Sequence, residues 1–233
     1  MPSSQNLILS SLAPDVRAAL DPHLQATTLG FGDVVAETGH QIRSVYFPLR
    51  GVISLVVHMN VGDMIETAMV GRDGVANAAA ALNGGTSLCR AIVQVAGEAL
   101  TAPPDALRAF VRQHDALQKV LIRHEQVLLA QAQQSAGCNA SHTVEARMCR
   151  WLLRVRDLTG SDDLTLTQEF LAQMLGVQRT SVSLIAGTLQ RAGFIRYHRG
   201  NLRLLDLDEI RQGACECYAT VNDHYARLLT PVR

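Results

Sequence analysis

Residues 164–206, LTLTQEFLAQMLGVQRTSVSLIAGTLQRAGFIRYHRGNLRLLD, constrain this chain more than any other stretch. Phe170, Leu171, Met174 and Leu175 recur three and four apart and predict one apolar face of a short helix starting near Thr167. Thr167 suits the N-cap, where its hydroxyl can accept an unpaired backbone N–H. Gly176 suits the end, because glycine adopts the left-handed backbone of a helix stop at little cost. Beside the apolar face, the small Ala172 leaves room for a second helix to approach. That helix is expected from about Arg179, with Val182, Ile185 and Leu189 as its buried stripe. A hairpin should follow, with strands Phe194–His198 and Leu202–Asp206 around Gly200-Asn201.

Two helices across a glycine turn, followed by a basic wing, form the pattern of a winged helix-turn-helix. In that motif the second helix enters the DNA major groove with its N-terminal residues toward base edges. Arg179 stands where a guanidinium fork could meet guanine O6 and N7. Thr180 and Ser183 are candidates for base edges, and Gln178 and Ser181 for phosphates. Thr167 and Gln168 complete the DNA-facing set on the first helix, and Arg199 would bring the wing to the phosphates.

Upstream, residues 1–25 contain an amphipathic segment with Leu12, Val16, Leu20 and Leu24 spaced by four, and Pro14-Asp15 marks a helix start. From Leu29 to Ala102 the rhythm changes to short apolar runs broken by glycines. Strands are expected at residues 34–36, 45–47, 52–57, 65–70, 91–95 and 98–102, with breaks including Gly62-Asp63 and Gly71 to Gly74. Short strands with regular turn signals imply an antiparallel sandwich or barrel. Beyond Pro103-Pro104-Asp105, residues Phe110, His114, Leu117, Leu121, His124, Leu128, Gln131, Ser135 and Cys138 are spaced by four and three. That seam suits a long helix lying along a partner, with Leu117, Leu121, His124 and Leu128 as the expected dimer interface; the alternative is a lone amphipathic helix lying on the strand-rich half. Gly137-Cys138-Asn139 reads as a hinge. The next helix, near Ser141–Leu158, turns Val144, Met148, Trp151, Leu152 and Val155 inward and Arg147, Arg150 and Arg154 outward. A terminal helix is expected over Asp208–Leu229.

The stretch TQEFLAQMLGVQRTSVSLIAGTLQRAGFI resembles the winged helix-turn-helix of the Crp/Fnr family, the cyclic-AMP receptor protein superfamily of bacterial transcription regulators. Leu171-Ala172, Leu175-Gly176-Val177, Arg179, Ser181-Val182-Ser183 and Ala192-Gly193-Phe194-Ile195 carry the likeness. The resemblance extends more weakly over nearly the whole chain. It implies an α+β protein: an N-terminal antiparallel β-roll like the cyclic-nucleotide-binding fold (residues 1–109), a long dimerisation helix and hinge (110–138), and a C-terminal winged helix-turn-helix with a last helix (139–233). It places Leu49-Arg50-Gly51-Val52 at the central turn of the roll. The implied partners are a second copy of the chain, a palindromic double-stranded DNA operator and RNA polymerase. The family often has an acidic residue after the Arg179 equivalent and a second Arg four positions on. Thr180 and Leu184 stand there instead, so the operator is expected to differ, with Leu184 placed to meet a thymine methyl.

Cyclic-nucleotide binders of this family have a Gly-Glu pair followed by Arg-Ser or Arg-Thr. Arg90 can stand for that arginine, but Ala91 follows it, and no acidic residue lies between Gly74 and Arg90. Arg90 and Asn77 remain as candidate effector-pocket residues, and the effector is expected to be something other than cyclic AMP, or none.

The formal net charge is zero, yet Arg147–Arg203 holds nine Arg against four Asp or Glu, so positive charge gathers at the DNA-reading motif. The five cysteines, at positions 89, 138, 149, 215 and 217, form no CxxC pair; Cys215-x-Cys217 is too close for an ordinary zinc knuckle without further ligands. Reduced thiols, no metal and no cofactor are therefore expected, with redox sensing by one of the thiols as the alternative. No recognisable catalytic frame is present, which argues against an enzyme, and neither a membrane-spanning run nor a signal peptide is evident, which implies the cytoplasm. The alternative to a transcription regulator is a protein of this fold acting mainly through a protein partner.

Overall fold

The computed structural model describes residues 6–59 and 64–229; the expected break at Gly62-Asp63 lies outside them. Two short helices, α1 (Leu7–Ser10) and α2 (Pro14–Leu20), lead into five strands: β1 (Gln25–Leu29), β2 (Val34–Ala36), β3 (Val45–His58), β4 (Met64–Val70) and β5 (Arg90–Ala102). All pairings are antiparallel, in the order β1-β5-β3-β4, with β2 also on β5. β3 and β5 are longer than the apolar runs predicted, because each passes unbroken through a glycine. Gly51 does not make a turn. It sits inside β3 at φ +86°, where the register with β5 slips repeatedly between Pro48 and Ile53. A Cβ on Gly51 would lie 2.5 Å from the Val95 carbonyl oxygen, and one on Gly97 only 2.3 Å from that of Arg50. The two glycines thus let the backbones meet closely at bulges that bend the ribbon.

Helix α3 (Pro104–Val111) is followed after a short break by α4 (Asp115–Ser141). At ~1.5 Å per residue, α4 is about 40 Å long. Gly137-Cys138-Asn139 remains helical, and the corner falls instead at His142-Thr143, where Thr143 caps α5 (Val144–Thr159). The seam predicted for a partner is spent inside the chain. Leu117, Leu121 and His124 have no exposed surface, and Leu128 is half-buried against the cluster of Leu29, Ile53 and Val93. The period is real, but it faces inward: α4 turns these residues onto the sheet and the alanine-rich 3-10 turn Ala78–Leu82.

The C-terminal half comprises β6 (Asp163–Thr165), α6 (Gln168–Leu175), α7 (Arg179–Arg191), β7 (Ile195–His198), β8 (Asn201–Leu204), α8 (Leu207–Gly213) and α9 (Cys217–Leu229). The small sheet has the order β6-β8-β7. The expected single terminal helix is two, broken at Ala214, whose backbone is extended. α9 returns to pack along α4, and its Val221, Tyr225 and Leu228 join the cluster of Ile8, Leu9, Phe47 and Leu117. Among the described residues no helix is long and apolar enough to cross a membrane.

Candidate nucleic-acid interface

The two helices of the motif are fixed by local chemistry. Thr167 Oγ1 accepts the Phe170 N–H at 3.1 Å, and Gly176 ends α6 at φ +63°. Arg147 donates to the Leu175 carbonyl, satisfying one of the acceptors that a helix C-terminus leaves open. Val182, Ala186 and Leu189 are the fully buried residues of α7, with Ile185 half-buried beside them. The Ser183 hydroxyl donates to Gln168 Oε1 at 2.6 Å and ties α7 to α6. These two expected DNA contacts are thereby engaged with one another.

The outward face of α7 is open. Leu184 is 70 % exposed, the Arg179 side chain is 66 % exposed with Glu169 only at 3.9 Å, and Gln178 and Thr180 are exposed too. Ser181 is half-buried, and Thr167 is exposed at the start of α6 while serving as its cap. In the wing, the turn is Arg199-Gly200 rather than Gly200-Asn201. His198 pairs with Asn201, and both turn residues have positive φ (+48° and +80°), as a two-residue hairpin of the I′ kind needs. Arg199 is exposed at this tip. Tyr197 anchors the wing through its hydroxyl to the Leu166 carbonyl at 2.9 Å, and its N–H donates to Gln190 Oε1 at 2.7 Å.

The arginines of α5 do not form an outer, phosphate-facing row. Arg147 and Arg154 are buried, and Arg154 meets Asp73 at 2.8 Å across the joint between the two halves. Its guanidinium also lies 4.3 Å from the centre of the Tyr225 ring, whose hydroxyl donates to Gln131 Oε1 at 3.0 Å. Trp151 Nε1–H donates to Glu66 Oε1 at 3.0 Å, and Ser54 donates to Glu66 Oε2 at 2.6 Å. Burial pushes the Glu66 carboxyl up to about 7, against the Ser54 hydrogen bond and the Arg150 charge. His124 is pushed down to about 4 by burial, and its neutral Nε2 accepts the Val75 N–H at 3.0 Å. The joint is reinforced where Phe31 meets Phe170 edge-on and where Gly176 abuts Ile65. Sequence reasoning places Arg154, Trp151 and His124 on their helices but not their partners Asp73, Glu66 and Val75, because a polar side chain with a distant partner has no local signature.

The expected effector residues are held by other groups. Arg90 lies 3.4 Å from Glu37 and 2.9 Å from the His58 ring, while Asn77 donates to the Val35 and Ser44 carbonyls.

Comparison with known proteins agrees with this geometry. Residues 146–212 match the Crp-like helix-turn-helix domain. The fold resembles a CRP-family transcriptional regulator from Thermus thermophilus (22 % identity, 81 % of this chain and 96 % of that one, TM-score 0.67). It also resembles FixK2 from Bradyrhizobium japonicum (12 %, 82 % and 98 %, 0.67) and the c-di-GMP-responsive global regulator CLP of Xanthomonas campestris (14 %, 82 % and 99 %, 0.63). No curated protein matches the chain in sequence. The chain carries a Crp-like helix-turn-helix domain and has the fold of the Crp/Fnr transcription regulators.

Proposed function

We propose that this protein is a homodimeric, sequence-specific DNA-binding transcription regulator that does not take cyclic AMP as its signal. The observation that carries the reading is the open N-terminal face of α7. Gln178, Arg179, Thr180 and Leu184 stand in solvent on a helix whose other side is packed, next to a wing tipped by Arg199. Base reading by that face needs two half-sites roughly 34 Å apart, hence two copies. With the inner seam of α4 consumed, its outward face is the one left for a second copy. Ile122 (43 % exposed) and Leu129 (60 % exposed) recur at seven residues, and exposed Ala136 continues the row.

Against cyclic AMP stands the chemistry of the roll. Ala78, Ala80 and Ala81 are buried in the turn under α3 and α4, and the segment from Gly74 to Arg90 carries no acidic side chain to hold a ribose hydroxyl. Arg90 already has Glu37 opposite it. Footprinting on genomic fragments, repeated with and without cyclic AMP, tests the reading. Discrete palindromic protection, unchanged by the nucleotide, is expected. Only salt-labile, sequence-independent binding would transfer the function to a protein partner.

A further inference from the structure

Three cysteines and a histidine that sequence spacing left unrelated converge at the far end of α4. We propose that Cys138, His142, Cys215 and Cys217 form a tetrahedral site for one zinc-type divalent cation, pinning the end of α4 to the joint between α8 and α9. The four donor atoms, three Sγ and an imidazole nitrogen, all lie within 4.8 Å of one another. With zinc–sulfur bonds of about 2.3 Å, the edges of a tetrahedron measure about 3.8 Å. Cys138 Sγ to Cys215 Sγ is 3.5 Å, and Cys217 Sγ to His142 Nδ1 is 3.6 Å.

The backbone presents these groups economically. Cys138 and His142 are one helical turn apart at the close of α4, where the His142 N–H donates to the Cys138 carbonyl at 3.0 Å. Cys215 and Cys217 flank Glu216 where the chain enters α9. Both cysteine side chains are buried and Glu216 is exposed between them. This answers the objection to Cys215-x-Cys217 as a metal pair, since the fold supplies the two further ligands. The expectation that the chain lacks a metal site gives way here.

The surroundings suit a metal-thiolate centre. The carboxylate of Glu216 sits 3.1 Å from His142 Nε2, the carboxylate–histidine arrangement that orients an imidazole and leaves Nδ1 for the ion. Gln134 Nε2–H donates to Cys217 Sγ at 3.0 Å. Three thiolates, a neutral imidazole and a dication leave one net negative charge, and the guanidiniums of Arg147 and Arg150 act on the same sulfurs. Without a cation, burial pushes the Cys215 thiol up to about 12 and raises Cys138. Metal binding therefore displaces thiol protons from Cys138 and Cys215, and affinity rises with pH. Three sulfur donors and one nitrogen select zinc over the hard cations magnesium and calcium. The site is independent of the DNA-reading proposal.

The test uses the full chain. Purified protein should contain about one zinc per chain by elemental analysis. Chelation under reducing conditions should lower the Tm, and zinc should restore it. Cobalt(II) added to the metal-free wild type should give the thiolate-to-metal charge-transfer bands of a tetrahedral site. Cys215→Ser, Cys217→Ser and His142→Ala should each lose most of the metal, while Cys89→Ser and Cys149→Ser keep it. The proposal is overturned by a metal-free wild type that gives no cobalt–thiolate band, or by cobalt uptake indifferent to Cys215→Ser. Iron with acid-labile sulfide, or a native Cys138–Cys215 disulfide, would overturn it equally.

Discussion

Two regions of the molecule carry arginines, and they use them in opposite ways. On α7 and the wing, Arg179 and Arg199 are exposed, and among the described residues Arg179 has only a long contact to Glu169, so both are available to an external anion. At the joint between the halves, Arg147 and Arg154 are buried and committed, one to a helix-end carbonyl and the other to Asp73 and the Tyr225 ring. The same residue type is therefore left open to an external anion in one place and contributes cohesion in the other. Burial and the presence of a partner decide which, since an exposed charge contributes little to stability and a buried one must be paired.

The comparison is broken most directly at Asp73. Asp73→Ala leaves Arg154 buried without its carboxylate and should cost about 3–5 kcal/mol, read by denaturant unfolding. The double variant Asp73→Asn with Arg154→Met should recover much of that loss; recovery of none would mean that the pair is not the source. Next come the two faces of α4. Leu121→Ala opens a cavity in the core and should cost about 2–5 kcal/mol. Leu129→Asp should leave the monomer folded while sedimentation shows the dimer dissociating. An intact dimer there, combined with dissociation by a mild change at Leu121, would return the interface to the inner seam.

On the reading surface, Arg179→Ala should leave stability within about 0.5 kcal/mol. It should weaken specific DNA by about 1–3 kcal/mol and relax preference at one base pair, whereas Arg199→Ala should weaken all sequences alike and flatten the salt dependence. Equal losses on specific and random DNA for Arg179→Ala would contradict this division. The finest contrast is titrimetric. Folded Glu66 holds its proton to about pH 7 and the unfolded chain releases it near 4.5, so its contribution falls as pH rises through that window. His124 works in the other direction: the unfolded chain takes a proton near 6.5 and the folded one only near 4, so stability falls as pH drops between them. The two slopes oppose one another between about 4.5 and 6.5. Glu66→Gln should remove one and leave a protein more sensitive to acid, as urea midpoints across that range would reveal.

The reading motif is legible because its signals are local. The cap at Thr167, the stop at Gly176, the apolar faces and the hairpin all depend on residues a few positions apart. The joint is not, since Arg154 and Asp73, or Trp151 and Glu66, meet only after the chain has folded back across the sheet. On α4 the difficulty is different. The helix has two apolar rows, Leu117-Leu121-His124-Leu128 and Ile122-Leu129, and periodicity identifies a row without saying what it faces. Strand β1 escapes sequence reading because QATTL has only Leu29 buried and gains its order from pairing with β5. The metal cluster needs residues 138 and 217 in one place, which no spacing rule joins.

The return of α9 has a consequence for how this protein comes into being. Val221, Tyr225 and Leu228 close the same core that Ile8, Leu9 and Phe47 begin. A nascent chain therefore carries Ile8 and Leu9 through the synthesis of everything between them and Val221 before their last neighbours exist. At ~5–20 residues per second, that interval is on the order of ten seconds or more. During it the core rests on the sheet with α3 and α4 alone, and truncation before Cys217 would make that unfinished state permanent.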